Sequence, residues 1–433
     1  MTARSCREVN LPMNTSLPSH LTRRHFGQLL GGTCAGALTR DASALDQPKD
    51  MPFPTFSKGI NLHHLLNWPD TKDGQSKTEY VWPPFHAANY QISDTELARL
   101  RAMGFDFLRV TADPSIFLAS DRAKREHLRK VVRATVTRLL GSGFKLIFDL
   151  HPVSVNPDYA PLKLVESRDS PAFRAYADLM EELARSFDDL PHDRFAFELM
   201  NEPWLDSKAE VARWQPMLEI LHTRARKGSA TLPLILTGAQ WSSISALRQL
   251  DLRPFKGSNV IYTFHYYDPH TYTHQGVEGD EGAYLAGLQW PPAHENVVSV
   301  RESAYTRIDE AKLSPAARAQ TKEATHKLLA DYELTAHDRQ RMTADFESVA
   351  RWAKTAGIPP QRIFLGEFGC VNTPRKTPMG EDRTRWLRAV RDSAQEFGFA
   401  WALWAYKGYG GMALFDDKGR LDKGIAEALE LKE

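Results

Sequence analysis

The sequence is poor in cysteine, has no long apolar run and carries no excess charge of either sign. Only three of its 433 residues are cysteines, and a chain of this length buries enough apolar surface to fold without disulfide or metal cross-links. Its 55 basic and 54 acidic residues give a formal net charge of +1, which argues against a dedicated nucleic-acid binder or a polybasic membrane-surface protein. The apolar stretch 29–38 is too short to span a bilayer, which takes about 20 residues, and no other segment is predicted to be transmembrane.

The first 44 residues are predicted to be an export signal. Arg23 and Arg24 form a paired-arginine motif, the short apolar stretch follows, and Ala42-Ser43-Ala44 then offers a small-residue cleavage site. This order is typical of a twin-arginine signal peptide, so we expect a periplasmic or secreted protein. A disordered tail with two chance arginines is the alternative.

Cleavage after Ala44 would leave a single cysteine in the exported chain. Cys6 and Cys34 would be removed with the signal, and Cys370 would remain. The mature protein therefore cannot form an intrachain disulfide, although its compartment would be oxidising. This is consistent with export of an already folded protein.

Short apolar runs alternate with helical patterns through residues 45–433. Eight runs have the length and composition of buried parallel strands: 59–63, 107–111, 145–151, 195–200, 233–237, 260–265, 363–367 and 400–405. Helices are predicted between most of them and after the last: 93–103, 121–141, 171–187, 208–227, 338–356, 381–397 and 421–430. We therefore predict an α/β fold, a single (β/α)₈ TIM barrel domain, with a long insertion after the sixth strand at about 270–337.

Two glutamates follow or close predicted strands that lie well apart around the barrel. Glu202 follows strand four in Asn201-Glu202-Pro203, and Glu367 closes strand seven. Active sites of such barrels lie at the carboxyl ends of the strands. Two facing carboxyl groups are what cleavage of a glycosidic bond requires, one to donate a proton and one to attack or to direct water. Taken singly, Glu202 could be a surface loop acid and Glu367 a helix-capping acid.

Other polar side chains lie at neighbouring strand ends. Arg109 is expected to keep one carboxylate charged, or else to form a salt bridge within the barrel mouth. His151 and Asp149 lie on one face of strand three, and His265 and Tyr267 on one face of strand six, because side chains two apart on a strand point the same way. Each histidine alone could equally be a packed core residue.

These motifs in combination resemble glycoside hydrolase family 5, the cellulase family. The resemblance covers about residues 58–415 and depends on Gly59-Ile60-Asn61-Leu62, Leu108-Arg109-Val110, Asp149-Leu150-His151, Asn201-Glu202-Pro203, His265-Tyr266-Tyr267, Gly366-Glu367-Phe368-Gly369 and Trp404. It implies a retaining double displacement with Glu202 as acid/base and Glu367 as nucleophile. It also implies a substrate-binding role for Arg109, His151, Asn201, His265, Tyr267 and Trp404.

The aromatic residues are numerous enough to serve both the core and a ligand. The chain has 10 Trp, 13 Tyr and 21 Phe. Trp404 is expected to be a stacking platform for a sugar ring. Further candidates for extending the cleft are Trp68, Trp82, Trp204, Trp241 and Trp290.

Two other classes of barrel fit the sequence less well. A metal-dependent hydrolase would need clustered ligands, but His63 and His64 are adjacent, so only one of them can face inward. A non-catalytic carbohydrate-binding barrel would not need both glutamates. We therefore expect a monomeric endo-β-1,4-glucanase without a cofactor or metal, with a β-mannanase or another β-glycanase of the family as the alternative. The carboxyl groups of Glu202 and Glu367 should lie about 5–5.5 Å apart if the enzyme retains configuration.

Overall fold

The computed structural model describes residues 51–72, 79–372, 380–408 and 411–432. The predicted export signal, 1–44, lies outside these residues. Within the described part of the chain, no helix is both long enough and apolar enough to cross a membrane.

Eight parallel strands in the described residues close into a barrel in the order of the sequence. They are β1 (Lys58–Leu66), β2 (Phe107–Ala112), β3 (Lys145–Leu150), β4 (Phe195–Glu198), β5 (Leu234–Thr237), β6 (Val260–His265), β7 (Ile363–Phe368) and β8 (Ala400–Leu403). Pairing of β1 with β8, with Ile60 opposite Leu403, completes the ring. The predicted TIM barrel is therefore confirmed.

Strand β3 ends one residue before its predicted end, and β4 and β8 end two residues before theirs. In each case the residues beyond the ladder carry site side chains, including His151, Asn201 and Trp404. The backbone N–H groups of these three residues still donate to carbonyls of the neighbouring strand or its end, those of Ala112, Leu150 and Phe368, so the chain leaves the barrel only after it has placed these side chains.

Nine helices of six or more residues are found in the described chain. They are α1 (Asp94–Ala102), α2 (Arg122–Gly141), α3 (Pro171–Phe187), α4 (Lys208–Gly228), α5 (His294–Glu310), α6 (Pro315–Thr335), α7 (Arg339–Thr355), α8 (Gly380–Glu396) and α9 (Lys423–Ala428). Shorter helical turns are Ser115–Leu118, Pro161–Leu164, Ala239–Ser242, Ile244–Leu247 and His270–Thr273, and 3₁₀ turns are Ala88–Tyr90, Pro157–Tyr159, Arg253–Phe255 and Pro360–Arg362.

The predicted helix starts are confirmed by their capping residues. Ser93 and Glu96 form a reciprocal capping box at the start of α1, and the Asp121 carboxylate accepts a hydrogen bond from the Lys124 backbone N–H at the start of α2. These bonds satisfy N–H groups that have no partner within the helix. Pro171 stands in the first turn of α3, where a missing N–H costs nothing.

An apolar layer fills the lower part of the barrel. It includes Phe107, Ile147, Ile235, Ile261 and Phe364, all buried. Side chains alternate along a strand, so the residues two positions after each of these also point inward. The next layer up is polar, beginning with Arg109 directly above Phe107, and it leads into the site.

The chain between β6 and β7 holds α5, α6 and α7. Of these, α5 and α6 lie within the insertion predicted at about 270–337, and α7 matches the helix predicted at 338–356. Its anchor is Trp290, which is 1% exposed and donates from Nε1 to Nδ1 of His337 at 3.4 Å. Nε2 of His337 in turn lies 3.0 Å from the Tyr266 hydroxyl, which follows β6. Trp290 is thus buried between the insertion, to which it belongs, and the end of β6. The expectation that it extends an open cleft was wrong.

Candidate active site

The polar residues predicted from the strand ends lie together at the carboxyl end of the barrel. Glu367 is part of β7 and points into the barrel. The pairing of β7 with β6 shifts register between Leu365 and Glu367, which interrupts the alternation that begins at Phe364. Glu202 follows β4. Hydrogen bonds or ion pairs link the members of this set: Arg109, His151, Asn201, Glu202, His265, Tyr267 and Glu367.

The two glutamates approach each other closely on either side of His265. Ligand atoms of Glu202, His265 and Glu367 all lie within 4.8 Å of one another. The Nδ1 atom of His265 is 2.8 Å from Oε1 of Glu202 and 3.6 Å from Oε2 of Glu367. Because 4.8 Å is a bound on the nearest atoms, the spacing is compatible with the roughly 5–5.5 Å between carboxyl groups of retaining glycosidases.

Glu202 has an unusual backbone conformation. Its φ angle is 33°, in a region that residues other than glycine rarely adopt. Such a conformation costs on the order of 1–3 kcal/mol, and it persists only where the surroundings impose it. Because its side chain is 18% exposed against 5% for Glu367, Glu202 is the more accessible of the two carboxyl groups.

Glu367 is held by a donor on each carboxylate oxygen. Nη1 of Arg109 donates to Oε1 at 2.8 Å, and the Tyr267 hydroxyl donates to Oε2 at 3.0 Å. Burial raises the pKa of the Glu367 carboxyl above its ordinary value, while His265 and the Arg109 guanidinium oppose that rise. The donors fix the orientation of the carboxylate and favour its charged form.

Arg109 has no exposed surface and lies beneath the glutamates. Its guanidinium makes a two-pronged contact with Glu198, at 2.7 and 2.9 Å, and lies 3.0 Å from Oδ2 of Asp149. Although burial opposes its charge, these carboxylates and Glu367 raise its pKa well above the usual value. The guanidinium is therefore placed to act on carboxylates below the cleft rather than on a ligand within it. The sequence suggested that Arg109 is either a cation beside a site carboxylate or part of a salt bridge within the barrel mouth. It is both, since it pairs with Glu367 and with Glu198.

Glu198 was missed by the sequence analysis. It is fully buried at the end of β4, and burial raises its pKa. The signal was present: an acid within the apolar run of β4, two residues after the inward-facing Ala196 and therefore on the same face. A carboxyl at that position needs a buried partner, and Arg109 provides it.

His151 and Asn201 form a chain with Asp149. Nδ1 of His151 lies 2.8 Å from Oδ2 of Asp149, and its Nε2 lies 3.3 Å from Nδ2 of Asn201. With the proton on Nδ1, His151 donates to the carboxylate and accepts from the amide. Burial lowers the pKa of His151 to about 4 and raises that of Asp149 to about 7. The imidazole is therefore neutral near neutral pH and orients Asn201.

His265 fits its place because residue 366 is a glycine. A Cβ on Gly366 would lie 2.7 Å from the Thr263 hydroxyl oxygen and 2.8 Å from Nε2 of His265. Burial lowers the pKa of His265 to about 4, so this ring too is neutral near neutral pH. A neutral imidazole shares a single proton with the Glu202 carboxyl without adding a charge to the site.

Trp404 forms one wall of the site. Its ring stacks on His151 with centroids 5.4 Å apart and planes inclined by 12°, and it lies 5.2 Å from the ring of His63. Only 5% of the residue is exposed. Trp68 and Trp82, in the connection from β1 to α1, are far more exposed, at 46% and 37%.

In the described part of the chain, one group of three side chains is close enough to hold a metal ion: Glu202, His265 and Glu367. Both oxygens of Glu367 already accept hydrogen bonds, from Arg109 and from Tyr267, and a bound metal ion would compete with these donors.

The chain matches a known family over most of its length. Residues 72–410 match the family described as "Cellulase (glycosyl hydrolase family 5)". "Endoglucanase 3" of Fibrobacter succinogenes is 23% identical in an alignment that covers 88% of this chain and 53% of that protein. "Endoglucanase C" of Acetivibrio thermocellus is 21% identical over 82% of this chain and 92% of its own length. The chain thus spans about half the length of Endoglucanase 3.

Solved structures share the fold. One reported for Thermotoga maritima Cel5A in complex with a mannotriose substrate has a TM-score of 0.59 and 20% identity, and the match covers 87% of this chain and 97% of that one. At this identity the likeness shows the barrel alone. The family match, which spans far more than half of the sequence, shows more: this chain belongs to glycosyl hydrolase family 5, the cellulase family.

Proposed function

We propose that this protein is a retaining endo-β-1,4-glucanase in which Glu202 is the acid/base and Glu367 the nucleophile. The observation that carries the proposal is the approach of the two carboxyl groups on either side of His265, with one oxygen of each within 4.8 Å of the other. Family membership supports the reaction class. The local geometry supports the division of roles.

In the first step Oε1 or Oε2 of Glu367 attacks the anomeric carbon of the sugar. The bond from that carbon to the glycosidic oxygen breaks, and the proton of Glu202 passes to the departing oxygen. A covalent glycosyl ester on Glu367 and an ionised Glu202 result. Attack requires Glu367 to be charged, and the donors Arg109 and Tyr267 favour that state.

In the second step Glu202 acts as a base. It removes a proton from water, whose oxygen attacks the same anomeric carbon, and the ester bond to Glu367 breaks. The product keeps its β configuration and Glu202 is protonated again. The greater exposure of Glu202 suits this role, because water must reach it in every turnover.

Asn201 and His151 are proposed to bind the sugar at the cleavage point. Asn201 is fixed by two neighbours, since its Oδ1 accepts from Arg109 at 2.9 Å and its Nδ2 points to His151. An amide held in this way loses little entropy when it hydrogen-bonds a hydroxyl group of the substrate. Trp404 borders the same subsite.

The substrate is proposed to be a β-1,4-glucan, since both curated relatives described above are named endoglucanases. A β-mannan is the second candidate, because the Thermotoga maritima structure is described with mannotriose. The near-zero net charge suits an uncharged polymer. We further propose that the enzyme is a monomer exported by the twin-arginine route.

The roles of the two glutamates can be tested with azide. We expect Glu367→Gly and Glu202→Ala each to lose at least 10³-fold in kcat on a soluble β-1,4-glucan. Azide should restore turnover of an activated aryl β-cellobioside by both variants. The product should be the α-glycosyl azide with Glu367→Gly and the β-glycosyl azide with Glu202→Ala. Glu126→Gln, at an exposed position on α2, is the control and should retain wild-type activity.

Three further experiments test the stereochemistry, the substrate and the export route. Proton NMR of early hydrolysis products should show the β-anomer, and early α-anomer would contradict retention. Rates on soluble β-1,4-glucan, β-mannan and β-1,3-glucan should decide the substrate. Replacing Arg23 and Arg24 by lysine should abolish export of the full chain if the twin-arginine assignment is right.

A further inference from the structure

The strained backbone of Glu202 must be held by something outside its own strand. On the amino-terminal side, the Asn201 N–H donates to the Leu150 carbonyl at 2.8 Å, which continues the pairing with β3. On the other side the chain runs through Pro203–Asp206 in no regular structure before Ser207 caps α4. The restraint on that second side has to come from another element.

A tight turn after β5 is strained as well. Three consecutive residues other than glycine have positive φ angles: Gln240 at 52°, Trp241 at 53° and Ser242 at 59°. Each such residue costs on the order of 1–3 kcal/mol. A run of three is not required to leave a strand, so the surroundings impose it.

The two strained segments are joined by three hydrogen bonds. The Gln240 N–H donates to the Leu205 carbonyl at 3.2 Å, and the Trp241 N–H donates to the Pro203 carbonyl at 3.4 Å. The side-chain amide of Gln240 donates through Nε2 to the Asp206 carbonyl at 3.2 Å. Every donor belongs to the turn and every acceptor to the segment that follows Glu202.

We propose that Gln240 is a positioning residue for the acid/base: it clamps the Pro203–Asp206 segment and so sets where the Glu202 carboxyl meets the departing oxygen. Gln240 provides two of the three hydrogen bonds, and one of its two is the only one of the three made by a side chain. This inference rests on the proposed role of Glu202.

The clamp acts on one carboxyl group and not on the other. Glu367 lies within the β7 ladder and is oriented by Arg109 and Tyr267. Loss of the Gln240 side-chain bond should therefore weaken proton donation while leaving nucleophilic attack intact. A residue that merely stabilised the barrel would affect both.

The chemistry of the bond dictates the variants. Gln240→Glu keeps the size of the side chain but turns a carboxylate oxygen toward the Asp206 carbonyl, so that acceptor faces acceptor. Gln240→Gly removes the side chain and relieves the positive φ angle, since glycine adopts φ near 52° without strain. The second variant should be at least as easy to fold as the first.

The test compares two aryl β-cellobiosides with different leaving groups. The 2,4-dinitrophenolate leaves without a proton, whereas phenolate from phenyl β-cellobioside needs one. We expect kcat/KM of Gln240→Glu to fall 10- to 100-fold on the phenyl substrate and to stay within about threefold of wild type on the dinitrophenyl substrate. We use kcat/KM because it reports the first step alone, before Glu202 is needed as a base. Gln240→Gly should show the same selective loss.

Matched variants separate the possible outcomes. Gln249→Glu is the control. The amide of Gln249 also donates to a backbone carbonyl, that of Ser245, but at an exposed position. This variant should match wild type on both substrates. Glu202→Gln should itself lose far more activity on the phenyl substrate, and if it does not, the proposed function of Glu202 fails. If Glu202→Gln discriminates and the Gln240 variants lose activity equally on both substrates, or on neither, the positioning role is overturned. Should Gln240→Glu not fold, Gln240→Gly decides by the same criterion.

Discussion

Nδ1 of His265 lies 2.8 Å from Oε1 of Glu202, so the proposed acid/base has a neutral imidazole as its immediate neighbour. Burial holds the pKa of that imidazole at about 4. Above this pH the ring is neutral and has two tautomers: with its proton on Nδ1 it donates to ionised Glu202, and with its proton on Nε2 its Nδ1 accepts from protonated Glu202. The pair can therefore keep its hydrogen bond in both protonation states of Glu202, as the proposed acid/base role requires.

Adding a methyl group at Gly366 should disturb this pair. The new Cβ of Gly366→Ala would lie 2.8 Å from Nε2 of His265, too close for the ring to stay in place. We expect kcat/KM on a β-1,4-glucan to fall at least 10-fold. Gly141→Ala, at the end of α2 with nothing within 4 Å of the added carbon, should keep full activity. Unchanged activity of Gly366→Ala would show that the ring position is not critical.

Replacing Arg109 by lysine should destabilise the barrel. Lysine cannot match the two-pronged contact with Glu198 and reach Glu367 and Asp149 together. The buried carboxylates that lysine does not reach lose their cationic partner, and loss of one partner of a buried ion pair costs about 3–5 kcal/mol, so the free energy of unfolding in guanidinium should fall by that order. Activity should fall with it.

The control for Arg109→Lys is a similar pair on the surface. Arg133 contacts Asp189 through two nitrogens, but the side chains are 35% and 74% exposed. We expect Arg133→Lys to lower the free energy of unfolding by less than about 1 kcal/mol. Equal losses in the two variants would contradict the importance of burial for Arg109.

Asp113 should make stability depend on pH. Its carboxyl is fully buried and accepts hydrogen bonds from the Ser115 N–H and hydroxyl, and burial raises its pKa from 3.8 to about 7. The folded state thus holds the proton more tightly than the unfolded state. The stabilisation is complete below pH 3.8 and is lost as the pH rises to about 7.

Asp113→Asn cannot ionise and should therefore gain stability relative to wild type as the pH rises. Between pH 5 and pH 8 the difference in the free energy of unfolding should move in favour of the variant, by an amount on the order of a few kcal/mol. Denaturant titrations of both proteins at several pH values measure it. A constant difference across this range would refute the assignment.

Trp82 should contribute to binding of long substrates. Its ring is exposed in the connection between β1 and α1, and exposed aromatic rings are suited to stacking on apolar faces of ligands. We expect Trp82→Ala to raise KM for a soluble polymer about three- to tenfold and to leave kcat on an aryl cellobioside unchanged. Leu334→Ala, which alters a side chain 76% exposed on α6, should leave both parameters unchanged.

The barrel and the outline of the site were predictable because their signals are local. Apolar runs such as 260–265 have the length of strands, and capping residues such as Ser93 mark where helices begin. Glu202, His265 and Glu367 follow or end such runs, and parallel strands bring their carboxyl ends together. Knowing the type of fold was enough to predict that these residues meet.

Contacts between distant loops were not predictable in this way. Gln240 gives no sign in the sequence that it will bond the Asp206 carbonyl, because that depends on the angle at which two turns leave their strands. Trp290 has the same composition around it as an exposed loop tryptophan, yet it is buried by helices on either side. Glu198 could have been found, since an acid on the inner face of a strand needs a buried partner.

Because β1 pairs with β8, the barrel can close only after nearly the whole chain has been synthesised. Asn61 on β1 donates to the carbonyls of Gly366 and Leu403, the second of them 342 residues further along the chain. The floor under Glu367 is therefore incomplete until β8 has left the ribosome. Any cellular factor that recognises the finished cleft can act only after that point, and a chain stalled during synthesis would present an open sheet edge, which favours aggregation, instead of a partly working enzyme.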